Sequence, residues 1–421
     1  MAKQPYLTAL ARANKYVTSG TMTYSKQTHR YVKGIYPNFI ECGGGPYVYG
    51  DNGETYIDYI SSLGANLLGY ADPFVNKAVK DRIDRGTLFS FASPLEGQLA
   101  EKLNSIVPAM ESMRFLKSGS EAVSAGVKIA RAYTERELII SVGYHGWHDW
   151  SSASSPKSAG SPDRLKPLCI NVAYNDFKAM KDIFKEEGDN IAAVVIDPYI
   201  YEEPKDNYLY DITKLARRHG ALMIFDEVVT GMRWLDYTVA NFYELKPDLI
   251  AMGKAMANGF PISVIGGKKK IMKVLDGDCF VSTTFGGDLS AISASLATID
   301  ICESDKVQER IYEMGEDLKM SFNEIAASLG LDAMMVGNPA RMKFNFPTDI
   351  HQALFWQECA KKGVLFGYAT HVTLSHTPSV ISKTIDIVGS VLKYMASSWK
   401  NPITKIEGDL PVKVEAVAAR R

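Results

Sequence analysis

Residues 221–254 read ALMIFDEVVTGMRWLDYTVANFYELKPDLIAMGK, and two short apolar runs in this stretch frame its polar residues. Ala221–Asp226 and Asp248–Met252 are nearly continuous in apolar residues, as strands covered on both faces are. The first run ends on Asp226 and Glu227; the second leads through Gly253 into Lys254. An unpaired carboxylate at the end of a buried strand is costly, so Asp226 requires a cation or a donor beside it. Arg233 is one candidate within the same stretch. A lysine that leaves a buried strand among small residues lies inside a structure, where a depressed pKa fits it to form Schiff bases with carbonyls. Taken alone, Lys254 reads first as an ordinary surface lysine in a loop, and Asp226 and Glu227 are what shift that reading.

The same rhythm extends outward. Glu137–Val142, Ala192–Asp197 and Ser263–Gly266 are further strand-like runs, and Glu121–Tyr133, Phe177–Glu187, Ile212–His219 and Ser290–Glu303 have helical spacing between them. Strand and helix in alternation predict an α/β fold with a mostly parallel central sheet, whose ligands sit beyond the carboxyl ends of the strands. Before this region, Pro46–Tyr49 and Thr55–Tyr59 flank Asp51-Asn52-Gly53 and predict a hairpin. A helix-like stretch covers Leu7–Val17. After it, Lys306–Leu329, His351–Lys362 and Lys383–Lys393 read as helices and Arg341–Phe346 as a strand, a smaller α+β lobe; the tail after Asn401 has weak periodicity. The expected division is residues 1–65 and 305–421 in a small domain and 66–304 in a large one.

Composition narrows the classes. With 47 basic and 48 acidic residues in a chain of 421, the formal charge is −1, which gives no basis for nucleic acid or an anionic membrane as partner. Five scattered cysteines without a C-x-x-C pair fit a reducing compartment. The N-terminal MAKQPYLTALARANKYV has no apolar core of a signal peptide, and no run reaches the roughly 20 apolar residues of a membrane helix. A soluble cytoplasmic protein is expected.

Two further segments carry chemistry. Ser118, Gly119 and Ser120 stand between an apolar stretch (Met113–Leu116) and a helix, where free backbone N–H groups and the helix dipole receive a phosphate as readily as they form a plain N-cap. In Tyr144-His145-Gly146-Trp147-His148-Asp149, an aromatic at a strand end can stack on a flat cofactor. Two histidines and an aspartate without a Cys/His cluster elsewhere do not make a metal site, so no metal is expected.

Together, S-G-S-E-A (118–122), Y-H-G-W-H-D (144–149), F-D-E-V-V-T-G-M-R (225–233) and a lysine 28 residues after Asp226 resemble the class III aminotransferases of pyridoxal 5′-phosphate (PLP) fold type I. The nearest branch is that of the glutamate-1-semialdehyde aminomutases. The resemblance runs from about residue 40 to about 300 and more weakly to about 395. It implies that Lys254 carries PLP and shuttles protons, that Asp226 pairs with the pyridinium nitrogen, and that Val228 and Tyr144 pack on the two ring faces. Ser118, Gly119 and Ser120 would hold the phosphate, with His145 a further cofactor contact. Thr284 would reach the phosphate of the neighbouring subunit, making a homodimer with shared active sites. Arg30, Trp147 and His371 are candidate substrate contacts. Two departures stand out. Asp197-Pro198 replaces the usual Glu-Pro, and Tyr368–His376 contains no acid where the aminomutase branch has a gating Glu, His371 falling near that position. These differences favour an aminotransferase working between an amine donor and a separate small carbonyl acceptor, such as a keto-sugar. An intramolecular aminomutase is the alternative. A PLP-fold binding protein without catalysis fits poorly with an intact Lys254, Asp226 and Ser120.

Overall fold

The computed structural model describes residues 8–412. Its central sheet has seven strands in the spatial order Ser112–Leu116, Ser263–Gly267, Leu249–Met252, Leu222–Glu227, Ile191–Ile196, Leu138–Val142 and Cys169–Asn171. Ser263–Gly267 runs antiparallel to both neighbours, and every other pair is parallel. The apolar runs of the sequence become the middle of this sheet, and Ile191–Ile196 and Leu222–Glu227 are buried at every position. Cys169–Asn171, three residues at the edge, carries too little pattern to be read from sequence.

Side chains alternate across the sheet. Leu222 and Ile224 enter one core with Val123, Val127 and Ala130 of the helix Gly119–Thr134. Met223 and Phe225 enter the other, with Leu209, Ile212 and Ala216 of the helix Tyr208–Arg218. By this period Asp226 faces the side of the Gly119–Thr134 helix and Glu227 the opposite side. There the Glu227 carboxylate accepts from the amides of Val239 (3.1 Å) and Ala240 (2.9 Å) and from the Thr230 hydroxyl. Burial lifts its pKa to about 7 against those bonds. The strand thus ends on two acids with separate duties: Glu227 shapes the chain beyond the strand, and Asp226 is left for the site.

The smaller lobe joins both ends of the chain. Ile40–Gly44, Tyr47–Gly50 and Thr55–Asp58 form an antiparallel sheet, and Val364–Leu365 adds in parallel to Thr55–Asp58. The hairpin at Asp51–Gly53 is as expected, with Tyr49 opposite Thr55. A second hairpin, Met334–Asn338 with Arg341–Asn345, bridges through Met342 to Thr370. The helices are Val307–Ser328, Asp349–Lys361 and Pro378–Ala396, the last longer at both ends than its sequence pattern. The N-terminal helix is Ala9–Tyr16; Leu7, where it was expected to begin, lies outside the described residues. The tail makes contacts as far as Lys33, whose amide donates to Asp409 O at 3.2 Å. No helix of the described residues is long and apolar enough to cross a membrane.

Aromatic rings build the core of this lobe. Phe344 lies 4.7 Å from Phe355 and 5.0 Å from both Phe322 and Phe366, centroid to centroid. Phe355→Ala is expected to cost about 3–5 kcal/mol in urea unfolding, the range for an emptied aromatic core position; a loss below 1 kcal/mol would show that the lobe repacks freely.

Candidate active site

The carboxyl ends of the parallel strands bring the chemical residues together. After Leu138–Val142 the chain turns through Gly143 (φ 109°), and two residues on, His145 is buried with Nδ1 2.7 Å from Asp226 Oδ2. Asp226 Oδ1 accepts from the Val228 amide at 3.1 Å. Asp226 is therefore held by His145, and Arg233, a partner considered from sequence, spends its donors elsewhere. Each carboxylate oxygen has two lone pairs, so these bonds leave Asp226 able to accept from a further N–H. The Trp150 ring lies nearly parallel to the imidazole at 6.1 Å. His145 Nε2 is buried without a partner among the described residues. Tyr144 is half-exposed, and burial together with the charge of Asp226 raises its phenol pKa.

The helix Gly119–Thr134 starts against the same corner. Ser118 caps it: its hydroxyl accepts from Glu121 N (3.3 Å) while the Glu121 carboxylate accepts from Ser118 N (2.7 Å). This capping box occupies the Ser118 side chain. The first intrahelical bond runs from Ala122 N to Ser118 O, so the amides of Gly119 and Ser120 precede it and stand at the positive end of the dipole. Two glycines permit close approach here. A Cβ on Gly119 would lie 2.6 Å from Val228 Cγ1, and one on Gly146 (φ 94°) would lie 2.1 Å from Ser120 Oγ. The helix start, the Tyr144–Gly146 loop and Val228 are thus in direct contact.

Lys254 follows the strand Leu249–Met252 with φ 40°, a left-handed value that a side chain rarely adopts. The loop is tied down four residues on, where Asn258 accepts from Leu68 N (2.9 Å) and donates to Gly69 O (3.0 Å). Burial lowers the amine to about 8; Arg341 and Arg233 push the same way, against Asp226 and Asp197. Near neutrality a useful fraction of the amine is unprotonated and nucleophilic.

Arg341 had no signal in the sequence beyond heading a strand. It reaches across from the smaller lobe, and its Nη1 donates to Asp197 Oδ1 (3.1 Å), Asp197 Oδ2 (2.9 Å) and Tyr199 O, with Tyr201 stacked 4.7 Å away. Burial raises the Asp197 carboxyl, and Arg341 opposes that rise. The shorter acid at this position is thus the anchor of an ion pair between lobes.

The remaining candidates divide. His371 is buried against Gly64, and burial with the charges of Arg233, Arg341 and Lys254 pushes its imidazole well below the usual range, so it is neutral. Arg30 is buried against Tyr24, 3.8 Å from the ring centroid, and Nη1 donates to Val412 O at 3.3 Å. Trp147 is on the surface, edge-on to His148. Thr284 is exposed in a loop with Phe280 and Phe285, 75% and 57% exposed. Among the described residues no group of three His, Cys, Asp or Glu side chains could hold a metal ion.

Amides at a helix N-terminus free to receive an anion, a carboxylate able to accept from a ring nitrogen and a buried lysine with a depressed pKa form a set that fits PLP, and the sheet is that of PLP fold type I. The chain belongs to the class III aminotransferases, whose family model (Aminotransferase class-III) matches residues 29–388. It is 33% identical over 394 residues to a glutamate-1-semialdehyde 2,1-aminomutase of Methanothrix thermoacetophila, covering 85% of this chain and 90% of that one. In structure it is similar to the PLP internal aldimine form of the FumI protein of Sphingopyxis sp. MTA144 (TM-score 0.87, 24% identity, covering 93% and 97% of the two chains). An omega-transaminase from Sphaerobacter thermophilus gives a TM-score of 0.85 at 23% identity, covering 91% and 96%. PLP is the cofactor of this protein.

The lowered amine has a thermodynamic consequence in the cofactor-free protein. Between about 8 and 10.5 the unfolded chain holds a proton on Lys254 that the folded chain has lost, so stability rises with pH across that window and is lowest below it. Lys254→Met is expected to be more stable than the parent at pH 7 by roughly 2–3 kcal/mol, the gap closing by pH 10.5. Urea unfolding of the two proteins checks this; a gap that does not change with pH would reject the buried amine.

Proposed function

We propose that this protein is an aminotransferase that moves an amino group from an amine donor to a separate small keto or aldehyde acceptor, a keto-sugar among the candidates. The observation that carries the choice is the Tyr368–His376 segment. It has no carboxylate, and His371 within it is neutral and buried, so nothing there resembles an acid that would gate the site and retain an intermediate. The identity to an aminomutase supports a second reading, intramolecular transfer.

When bound, PLP supplies an aldehyde carbon for the amine and an electron sink for the carbanion at substrate Cα. Lys254 would link to it covalently, give way to the donor amine, and then carry the proton between Cα and C4′ of the cofactor. Asp226, fixed by His145, would keep the ring nitrogen protonated. The amides of Gly119 and Ser120 would bind the phosphate while Ser118 keeps the helix capped. Tyr144 and Val228 would confine the ring. The exposed Thr284 loop and its two phenylalanines support a homodimer in which Thr284 completes the neighbouring site. Five free cysteines fit the cytoplasm.

Mixing the purified PLP form with a panel of amines, and following the cofactor's colour and the products of the half-reaction, tests this reading. The expected result is release of a keto product and a cofactor that then aminates an added carbonyl compound. A diamine or amino-aldehyde isomerised without any acceptor would establish the aminomutase instead. Lys254→Ala is expected to stay folded and to lose both borohydride-stable labelling by PLP and turnover.

A further inference from the structure

Ser61, Ser62 and Leu63 have φ of 49°, 52° and 60°, and Gly64 follows at 84°. Left-handed backbone costs a non-glycine residue on the order of 1–3 kcal/mol, so three in succession persist only if their surroundings impose them. At the near end, Asp58 accepts from the amides of Ile60 (2.8 Å) and Ser61 (3.2 Å), and Ser61 Oγ donates to His371 O (3.1 Å). At the far end a single side chain does the work. Arg233 donates from Nε to Gly64 O (3.0 Å), from Nη2 to Asn66 O (3.3 Å) and from Nη1 to Val372 O (3.0 Å). Its fork therefore ties the turn to the segment that contains His371.

Arg233 is fully buried, and no carboxylate forms an ion pair with it among the described residues. A neutral side chain would fill the same space without the cost of burying a charge. Burial alone pushes the guanidinium down to about 9, and its charge acts on both Lys254 and His371. On its other side the turn meets open space: Ile60 and Ser62 line a cavity of about 410 Å³ with Lys26, Tyr31, Asp58 and Tyr70. That volume suits a small metabolite.

We propose that Arg233 is a positioning residue of the amino-transfer site, which holds the left-handed Ser61–Gly64 turn against His371–Val372 and so fixes the side of this cavity that Ser62 lines. The inference rests on Lys254 being the cofactor lysine, and it does not depend on which amine or carbonyl reacts.

Two readouts on the PLP-loaded protein, neither requiring turnover, test it. The first is hydrogen exchange of the peptide covering residues 59–68, where the amides of Gly64, Ala65 and Asn66 bond back to Ile60, Ser62 and Ser61. The second is the pH midpoint of the bound cofactor's colour, which reports the charges around Lys254: Asp226, Asp197, Arg341 and Arg233, with neutral His371 behind them. Arg233→Lys keeps a cation but cannot bridge three carbonyls. It is expected to speed exchange in this peptide at least tenfold and leave the colour midpoint in place. Arg233→Met is expected to speed exchange similarly and raise the midpoint by roughly one unit, because a like charge has gone. Adding Leu63→Gly to Arg233→Lys is expected to recover most of the protection, since glycine adopts positive φ without the Cβ penalty. The midpoint shift in Arg233→Met is the readout that an arginine acting on the turn alone would not move.

Unchanged exchange in Arg233→Lys, or no recovery with Leu63→Gly, overturns the proposal. Where Arg233→Met fails to fold, Ser61→Ala serves beside Arg233→Lys: loss of the bond to His371 O is expected to speed exchange with the midpoint unmoved, and unaltered exchange counts against the clamp. A protein that binds PLP without transferring amino groups would still give the expected exchange and colour, so failure of the functional reading and failure of this one are separable.

Discussion

A carboxylate at the end of a strand buried on both faces must be compensated, and the site is organised around how Asp226 meets that requirement. His145 takes one oxygen and the Val228 amide the other. Both contacts come from chain that has just left a strand end, so satisfying the acid also fixes the Tyr144–Gly146 loop and the first residues after Leu222–Glu227. The neighbouring Glu227 is satisfied on the opposite face of the sheet by backbone amides and a hydroxyl. Sheet alternation alone separates the two acids, and a one-residue slip in register would exchange their roles.

The charges around Lys254 form an arrangement in which no single pair explains the rest. Asp226 and Asp197 favour the ammonium, while burial, Arg341 and Arg233 oppose it, and the opposing set prevails. Arg341 is largely offset by Asp197, whose carboxylate it touches with both oxygens. Among the described residues, the hydrogen bonds of Arg233 go to backbone carbonyls alone. The two arginines therefore differ in kind: one closes an ion pair between lobes, the other leaves a net positive charge inside the site. That residual charge favours a neutral amine on Lys254 and a neutral imidazole on His371.

How much of this was legible in the sequence follows from the range of the signals. Strands covered on both faces announce themselves as apolar runs, so the middle of the sheet and the positions of Asp226 and Lys254 at strand ends could be read directly. The helix start at Ser118–Ser120 was legible from its capping residues, although only the structure shows that the Ser118 hydroxyl is committed to Glu121. Long-range partners were not legible. Nothing local links Arg341 to Asp197 across 144 residues, or Arg233 to the carbonyls of Gly64 and Val372. Arg30 is a further case: its guanidinium lies against the Tyr24 ring and donates to a carbonyl of the C-terminal tail, contacts that no local pattern announces.

At the site the two lobes meet through charged and strained contacts as well as through an apolar core that runs continuously through both. Arg341 enters from the hairpin Met334–Asn338/Arg341–Asn345, which is bridged through Met342 to Thr370, next to His371. His371 in turn receives the Ser61 hydroxyl on its carbonyl and packs its ring on Gly64. A displacement of the smaller lobe would therefore act at once on the Asp197 ion pair, on the left-handed turn and on the field at Lys254. Apolar contacts tolerate small slides, whereas hydrogen bonds to buried charges lose most of their value within an ångström. The geometry of the smaller lobe is thereby coupled to the protonation state of the lysine, through contacts that share residues and leave no independent adjustment between them.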